Sequence, residues 1–506
     1  MDTPTNHRLK IPLIAALATF GLHLVGNPHY GFFRDELYLI ICGRHPQWGY
    51  VDQPPVTCLL SAATQVFGHS LVLLRAVPAL FAAAAVYTAC LLAAELGGGA
   101  FAQVLSALVV FFTPVLMNFG MKVSPDTPGL WLWVLATLYI VRIAKGADPR
   151  GWLAVGAILG VCLQSKYTVG FFFAALLLGL LFTPERTILI SRWFLAGCGV
   201  SGLIALPNFL WQAHYGFPMM ELLRAGQQGK NVIVGPGLYI LQQLLITNVF
   251  LSPVWIIGWV WLFRNARLRF LAYAYIILIV FMLVLHGKHY YPADVYPYLI
   301  AAGGVAIEAW MSRSKAWQPV VAGAVVALGL VFVPLALPIL KEEQMVSYQD
   351  RLLRILHIPR QVVATEHNRM AALPQDWADM HGWPQLAATV EKAYQSLPPG
   401  DRAQAAIVAS NYGEAATIDF FGQGLPPVLS GHNQYFLWGT HGASGNVIID
   451  VNGDCGARQH LFASSTLAGT FSAPWVMPYE DGIPIMVCRE IRIPLAELWP
   501  GLKHYR

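Results

Sequence analysis

The chain of 506 residues is 56% hydrophobic and only 12% charged, with a mean hydropathy of +0.53, a composition that excludes a single water-soluble core and points to a membrane protein. The formal net charge of +5 is no nucleic-acid signature, because its excess lies in the apolar part: residues 1–340 hold 20 Lys and Arg against 11 Asp and Glu, and residues 341–506 hold 12 against 16.

Arg8 and Lys10 introduce an apolar run over 9–27 with no small-residue cleavage site before Gly31-Phe32-Phe33, so it reads as a retained first helix. Further stretches long enough to cross about 30 Å of hydrocarbon lie near 70–94, 99–119, 128–145, 192–211, 236–262, 268–286, 292–311 and 316–340. Residues 151–183 are too long for one span, break at Gln164-Ser165-Lys166, and have basic residues on both flanks (Arg142, Lys145, Arg150; Arg186, Arg192), which calls for a hairpin of two short spans. The expectation is an α-helical multi-pass membrane protein of about eleven transmembrane helices over residues 1–340, followed by a soluble α/β domain over 341–506.

With the N-terminus inside, the inward loops carry Arg142, Lys145, Arg150, Arg186, Arg192, Arg264, Arg267, Arg269, Arg313 and Lys315. The outward loops collect both charge signs: Arg34, Asp35, Glu36, Arg44, Asp52, Lys122, Asp126, Lys166, Arg224, Lys230, Lys288 and Asp294. In the first of them, over 28–69, the stretches Glu36–Ile41 and Val56–Phe67 have apolar residues at helical spacing and are expected to lie in the membrane interface. The outward segment 212–236, with its Gly, Gln, Lys and Asn clusters, reads as a mobile loop or lid.

The tail opens with a helix-like stretch (Lys341–Thr365) and a Trp/Pro-rich segment (Leu373–Pro384), then shows short apolar runs at Ala405–Ser410, Val447–Val451 and Ile485–Val487. That pattern predicts a small α/β domain over the outer face. Cys42, Cys58, Cys90, Cys162 and Cys198 sit in or beside apolar runs, as buried thiols do. Cys455 and Cys488 either pair or stay apart; sequence separation does not decide.

Asp35-Glu36 is the sharpest local feature: two carboxylates just past a span, beside Phe33, Leu37 and Tyr38, where charge is costly and tends to be functional. Helix capping is the competing explanation, since acids favour a helix start. Asp126, in Lys122-Val-Ser-Pro-Asp126-Thr-Pro, either joins Asp35 at the same membrane face or, with Ser124, caps the helix that follows. His286-Gly-Lys288-His289-Tyr290-Tyr291-Pro292 puts an ammonium and phenols at headgroup depth, for phosphate binding or merely as an aromatic belt with a snorkelling lysine. Lys166, in the break of the hairpin, has no partner on its own helix and calls for an anionic one. Asp52-Gln53-Pro54-Pro55 is a turn first and a ligand-binding segment second. No phosphate-binding or dinucleotide glycine loop, HExxH or Cys/His metal array is present.

The runs Phe33-Arg34-Asp35-Glu36-Leu37-Tyr38 and Gly49-Tyr50-Val51-Asp52-Gln53-Pro54-Pro55, Asp126, and Lys288-His289-Tyr290-Tyr291-Pro292 together resemble the bacterial family-39-type glycosyltransferases, relatives of the protein O-mannosyltransferases and the lipid A aminoarabinose transferase. The resemblance continues through Asn411-Tyr412-Gly413-Glu414-Ala415, Ser430-Gly431-His432-Asn433 and Pro494-Leu-Ala-Glu-Leu-Trp499. It implies a GT-C membrane fold, a polyprenyl-phosphate sugar donor, and inverting transfer to a lipid, glycan or protein acceptor on the outer face of the bacterial cytoplasmic membrane. Carried over, Asp35 matches the catalytic aspartate and Asp126 the second acidic position, with Glu36 beside them. Lys166 and Lys288 match donor-phosphate contacts, and Arg34, Asp52, Gln53, His289, Tyr290 and Tyr291 line the same substrate region. No cofactor or metal is expected, although two outward carboxylates would hold a divalent cation weakly. The rival is a transporter or flippase, which calls for mid-span charges and related halves; the charges here gather at the outer ends instead.

Overall fold

A computed structural model of the protein describes residues 4–229, 235–355, 357, 360, 370–453, 455 and 460–505. Lys230 and most of 356–369 therefore fall outside the described residues. The helices before the tail are α1 (Pro4–Gly26), α2 (Arg34–Arg44), α3 (Pro55–Ala63), α4 (Leu71–Glu95), α5 (Ala100–Phe111), α6 (Pro114–Phe119), α7 (Thr127–Ala144), α8 (Gly151–Leu163), α9 (Val169–Leu181), α10 (Arg192–His214), α11 (Pro218–Gly229), α12 (Pro236–Ile246), α13 (Ser252–Arg264), α14 (Arg269–Val284), α15 (Tyr296–Trp310) and α16 (Gln318–Leu330).

Each expected span contains a helix, but among the described residues only four helices, Leu9–His29, Leu71–Glu95, Thr127–Ala144 and Arg192–His214, are individually long and apolar enough to cross a membrane. The difference has a backbone cause. Prolines in the first turn of α6, of α13 and of the short helix Val333–Ala336 start a new helix where the apolar run reads as continuous, because proline lacks the N–H that would extend the preceding one. The hairpin of 151–183 forms as α8 and α9, and the 13 residues of α8 rise about 20 Å. Close packing compensates: a Cβ on Gly258 would lie 1.9 Å from the Leu299 carbonyl oxygen and one on Gly303 2.0 Å from that of Val254, so α13 and α15 meet backbone to backbone.

The tail holds a five-stranded sheet of order β2-β1-β3-β5-β4, with β1 (Ala405–Ala409), β2 (Val428–Leu429), β3 (Val447–Val451), β4 (Phe462–Phe471) and β5 (Ile483–Ile491). β1 runs parallel to β2 and β3, whereas β5 is antiparallel to β3 and β4. The central β3 is buried along its length and therefore apolar almost throughout. β4 escapes a hydropathy reading because this edge strand, FASSTLAGTF, is Ser-, Thr- and Gly-rich and largely exposed. The expected opening helix forms as Glu342–Ile355, and Cys455 is bonded to Cys488 with their Cα atoms 6.5 Å apart.

Helix α2 is covered by the tail rather than left open on its apolar side: Leu37, Leu39, Ile40, Ile41 and Cys42 are each at most 2% exposed and share a core with Ala415, Ile418 and Phe420 of the tail helix Tyr412–Phe421. A helix that is apolar nearly all round needs cover on every side, and the tail supplies it. Conversely, Trp377, Met380 and Met477 of the tail complete the core of the helical bundle.

Candidate active site

The two adjacent carboxylates at the start of α2 have opposite environments. Glu36 is fully buried. Its Oε2 accepts the Phe33 N–H at 2.9 Å and Arg75 Nη2 at 3.0 Å, and its Oε1 accepts Arg75 Nε at 3.2 Å and the Val123 N–H at 3.0 Å. All four acceptor positions of the carboxylate are thereby filled. Glu36 thereby caps its own helix and fastens α2 to α4 and to the segment before α7. Arg75 also donates to the carbonyls of Asn27 and Gly31 at 2.5 and 2.7 Å.

Asp35, one residue earlier, is the open one, with 38% of its side chain exposed. Its Oδ1 accepts the Tyr412 hydroxyl at 2.8 Å and faces Arg34 Nε at 3.6 Å. Arg34 points into the tail, donating to the Tyr479 hydroxyl at 2.8 Å, lying 3.8 Å from Asp379 Oδ2 and stacking over the Tyr412 ring at 5.7 Å. Gly413 is needed for that passage, since a Cβ there would sit 2.5 Å from the Arg34 side chain. Arg34 thus anchors the tail.

The Asp52 loop joins from α3. Asp52 Oδ1 accepts the Tyr38 hydroxyl at 3.0 Å and Oδ2 accepts Asn433 Nδ2 at 3.2 Å, while the Val51 N–H donates to Gln434 Oε1 at 3.1 Å. Burial pushes the Asp52 carboxyl up to about 6, against the stabilising bonds from Tyr38 and Asn433. The Gln53 carbonyl closes a turn with the Tyr50 N–H at 2.9 Å, and its buried Nε2 has no hydrogen-bond partner among the described residues. The Val56 N–H bonds the Gln164 carbonyl at 2.9 Å, which brings this loop against the break that carries Lys166.

At that break Lys166 Nζ pairs with Asp126 Oδ1, the side chains being 21% and 13% exposed. Asp126 stands at the N-cap position of α7 but makes no capping bond with its side chain; Thr127 Oγ1 takes the Ser124 N–H instead. Lys166 Nζ also lies 4.6 Å from the ring centre of Tyr291 and 5.4 Å from that of Tyr290. Lys288 reaches the cluster through the Tyr290 ring, 5.8 Å from its Nζ, and the His289 carbonyl accepts Gln243 Nε2 at 2.9 Å. Burial, then Tyr291, Asp126, Asp35 and Asp376, push the Tyr290 phenol well up, so Tyr290 lies within electrostatic reach of both the Asp35 and the Asp126 ends of the site. Asp294, not singled out from the sequence beyond its charge, lines the narrow cleft with Asp126 and Lys166. It is 5% exposed, and its Oδ1 has no hydrogen-bond partner among the described residues.

Lys122 is drawn off to the tail: its Nζ is 2.6 Å from Asp376 Oδ2 and 4.3 Å from the Phe33 ring centre. Burial alone would raise the Asp376 carboxyl, but Lys122 and Asn118 hold it below its ordinary value. Sequence reasoning assigned no role to Arg75, Tyr412, Asn433 or Asp376. An arginine near the outer end of an apolar run was the available signal for Arg75, and the polar, glycine-bounded tail runs for Tyr412 and Asn433. Among the described residues no three His, Cys, Asp or Glu side chains gather as a metal site.

Residues 52–211 match the model of the dolichyl-phosphate-mannose-protein mannosyltransferase family. Two crystal structures of ArnT from Cupriavidus metallidurans share the architecture, one bound to undecaprenyl phosphate (TM-score 0.64) and one in the apo state (TM-score 0.62). Each is 15% identical, with 94% of this chain and 97% of ArnT covered. No curated protein sequence matches the chain. The fold is thus the GT-C membrane fold implied by the sequence resemblance, with a small C-terminal sheet domain.

Proposed function

We propose that the protein is an inverting glycosyltransferase that moves a sugar from a polyprenyl-phosphate donor to a glycolipid, polysaccharide or protein acceptor on the outer face of the bacterial cytoplasmic membrane. The family match over 52–211 and the fold shared with a lipid-phosphate-bound enzyme support glycosyl transfer from a lipid-linked donor. The observation that carries the assignment of roles is the half-open Asp35: one carboxylate oxygen is held by Tyr412, while Oδ2 makes no hydrogen bond or ion pair among the described residues.

In this reading the acceptor hydroxyl oxygen attacks the anomeric carbon from the face opposite the phosphate. Its proton passes to Asp35 as the new C–O bond forms. The bond from carbon to phosphate oxygen breaks at the same time, and its electron pair leaves on the polyprenyl phosphate. Lys166, in its pair with Asp126, and Lys288 beside Tyr290 stabilise the growing phosphate charge. Asp126 orients Lys166, and the apolar groove lined by Trp48, Leu206, Pro207, Leu210, Trp211 and Tyr215 suits a polyprenyl chain arriving from the bilayer. The experiment is mass spectrometry of lipids and surface glycans from a deletion strain. Accumulated lipid-linked sugar and one missing decoration are expected, and an unchanged glycan and lipid profile would overturn the reading.

A further inference from the structure

Tyr412 reaches Asp35 across 377 residues of sequence, and its own placement is fixed on several sides. It opens the helix Tyr412–Phe421, whose N-cap Asn411 accepts the Glu414 N–H through Oδ1 at 2.9 Å. Glu414 reaches back in turn to the N–H groups of Ser410 and Asn411 at 2.9 and 3.4 Å. The Tyr412 ring packs on Tyr38 at 4.6 Å and edge-on to His432 at 4.9 Å, with the Arg34 guanidinium above it. A phenol held this way has little freedom, so its hydroxyl fixes one carboxylate oxygen of Asp35 in space.

We infer that Tyr412 is a positioning residue for Asp35, so that the tail domain supplies part of the transfer machinery rather than only a cover for it. With Oδ1 engaged by Tyr412, rotation of the Asp35 carboxylate is arrested and Oδ2 is presented to the acceptor hydroxyl. Burial, opposed by Arg34 and reinforced by Asp35, raises the Tyr412 phenol well above its ordinary value, so it remains a hydrogen-bond donor at any working pH. Tyr412 touches neither the reacting carbon nor the phosphate in this scheme; it acts through Asp35. The inference rests on the proposed role of Asp35 as the base.

The test compares wild-type full-length protein with Tyr412→Phe and Asp35→Asn in vesicles of host membrane that supply their own donor and acceptor lipids. Product is read by mass spectrometry, and undecaprenyl phosphate is the probe for donor-site binding. Phe keeps the ring and its packing and removes only the hydroxyl. The expected result for Tyr412→Phe is a transfer rate about ten- to a hundredfold lower, with undecaprenyl phosphate affinity within about twofold of wild type and an unchanged melting temperature. A wild-type rate in Tyr412→Phe alongside an inactive Asp35→Asn overturns the inference and leaves the base intact. Loss of rate together with loss of probe binding and of melting temperature makes Tyr412 merely structural and also overturns it. An active Asp35→Asn overturns the base assignment itself.

Discussion

Arg75 and Glu36 form a buried ion pair, with Arg75 Nη2 3.0 Å from Glu36 Oε2 and the two side chains 1% and 0% exposed. One residue away, Asp35 is open, with 38% of its side chain exposed. The neighbours differ because a helix start turns consecutive side chains roughly 100° apart: one faces the bundle and α4, the other the gap below the tail. The pair at Glu36 is what holds that difference in register.

Glu36→Gln should therefore behave as a folding mutant. Removing one partner of a buried pair leaves an uncompensated charge and costs about 3–5 kcal/mol. Thermal unfolding in detergent should show a markedly lowered melting temperature and poor yield, and a normal melting curve would remove the fastener role.

Asp35→Asn should do the opposite, keeping yield and melting temperature while transfer falls by at least about a hundredfold, the usual contribution of a positioned base. Rates in membrane vesicles decide it; activity near wild type would dismiss Asp35 as the base.

Lys166→Met should weaken undecaprenyl phosphate binding by about ten- to a hundredfold, the range for a lost charge-assisted hydrogen bond. The single variant also leaves Asp126 unpaired. The double variant Asp126→Asn/Lys166→Met should recover stability without recovering binding, and full binding in the double variant would contradict a phosphate contact.

Asp52 carries a pH dependence of definite sign. Its carboxyl is pushed by burial up to about 6 from the ordinary 3.8, so the folded state binds the proton more tightly than the unfolded one. The associated stability is fully present below the ordinary value and is lost as pH rises through about 6. Melting temperature measured from pH 4 to 7 should fall with rising pH, and Asp52→Asn should flatten that slope. An identical slope in Asp52→Asn would refute it. Asp419, raised to about 6 by burial, contributes a slope of the same sign in both proteins.

Replacing both Cys455 and Cys488 by Ser opens a loop of 33 residues, worth about 3–4 kcal/mol of chain entropy. The tail should melt earlier, and reductant should reproduce the effect in the wild type. A wild-type melting curve for the double variant would show that the bond contributes nothing.

Much of the bundle was legible because apolar runs and basic flanks report spans directly, and the break at Gln164-Ser165-Lys166 correctly announced a two-helix turn. Lys166 was legible as a charge with no partner on its own helix and Asp126 as an outward carboxylate with capping as its competing explanation, and the two pair with each other. Tyr412 and Asn433 were not, because a bond between residues 377 or 381 positions apart leaves no period or spacing in the chain. The burial of α2 escaped for a related reason: an apolar helix beside a membrane looks the same whether lipid or a distant domain covers it. The strand β4 was hidden by its own exposure.

The reach from Asp35 to Tyr412 also has a consequence in time. A ribosome adding roughly 5–20 residues per second makes the partner of Asp35 on the order of 20–75 s after Asp35 itself, and the intervening helices must be inserted before the two can meet. During that interval the nascent chain carries Asp35 without the hydroxyl that holds its Oδ1. On the proposed role of Asp35, a chain truncated before Tyr412 would carry the base without the hydroxyl that positions it.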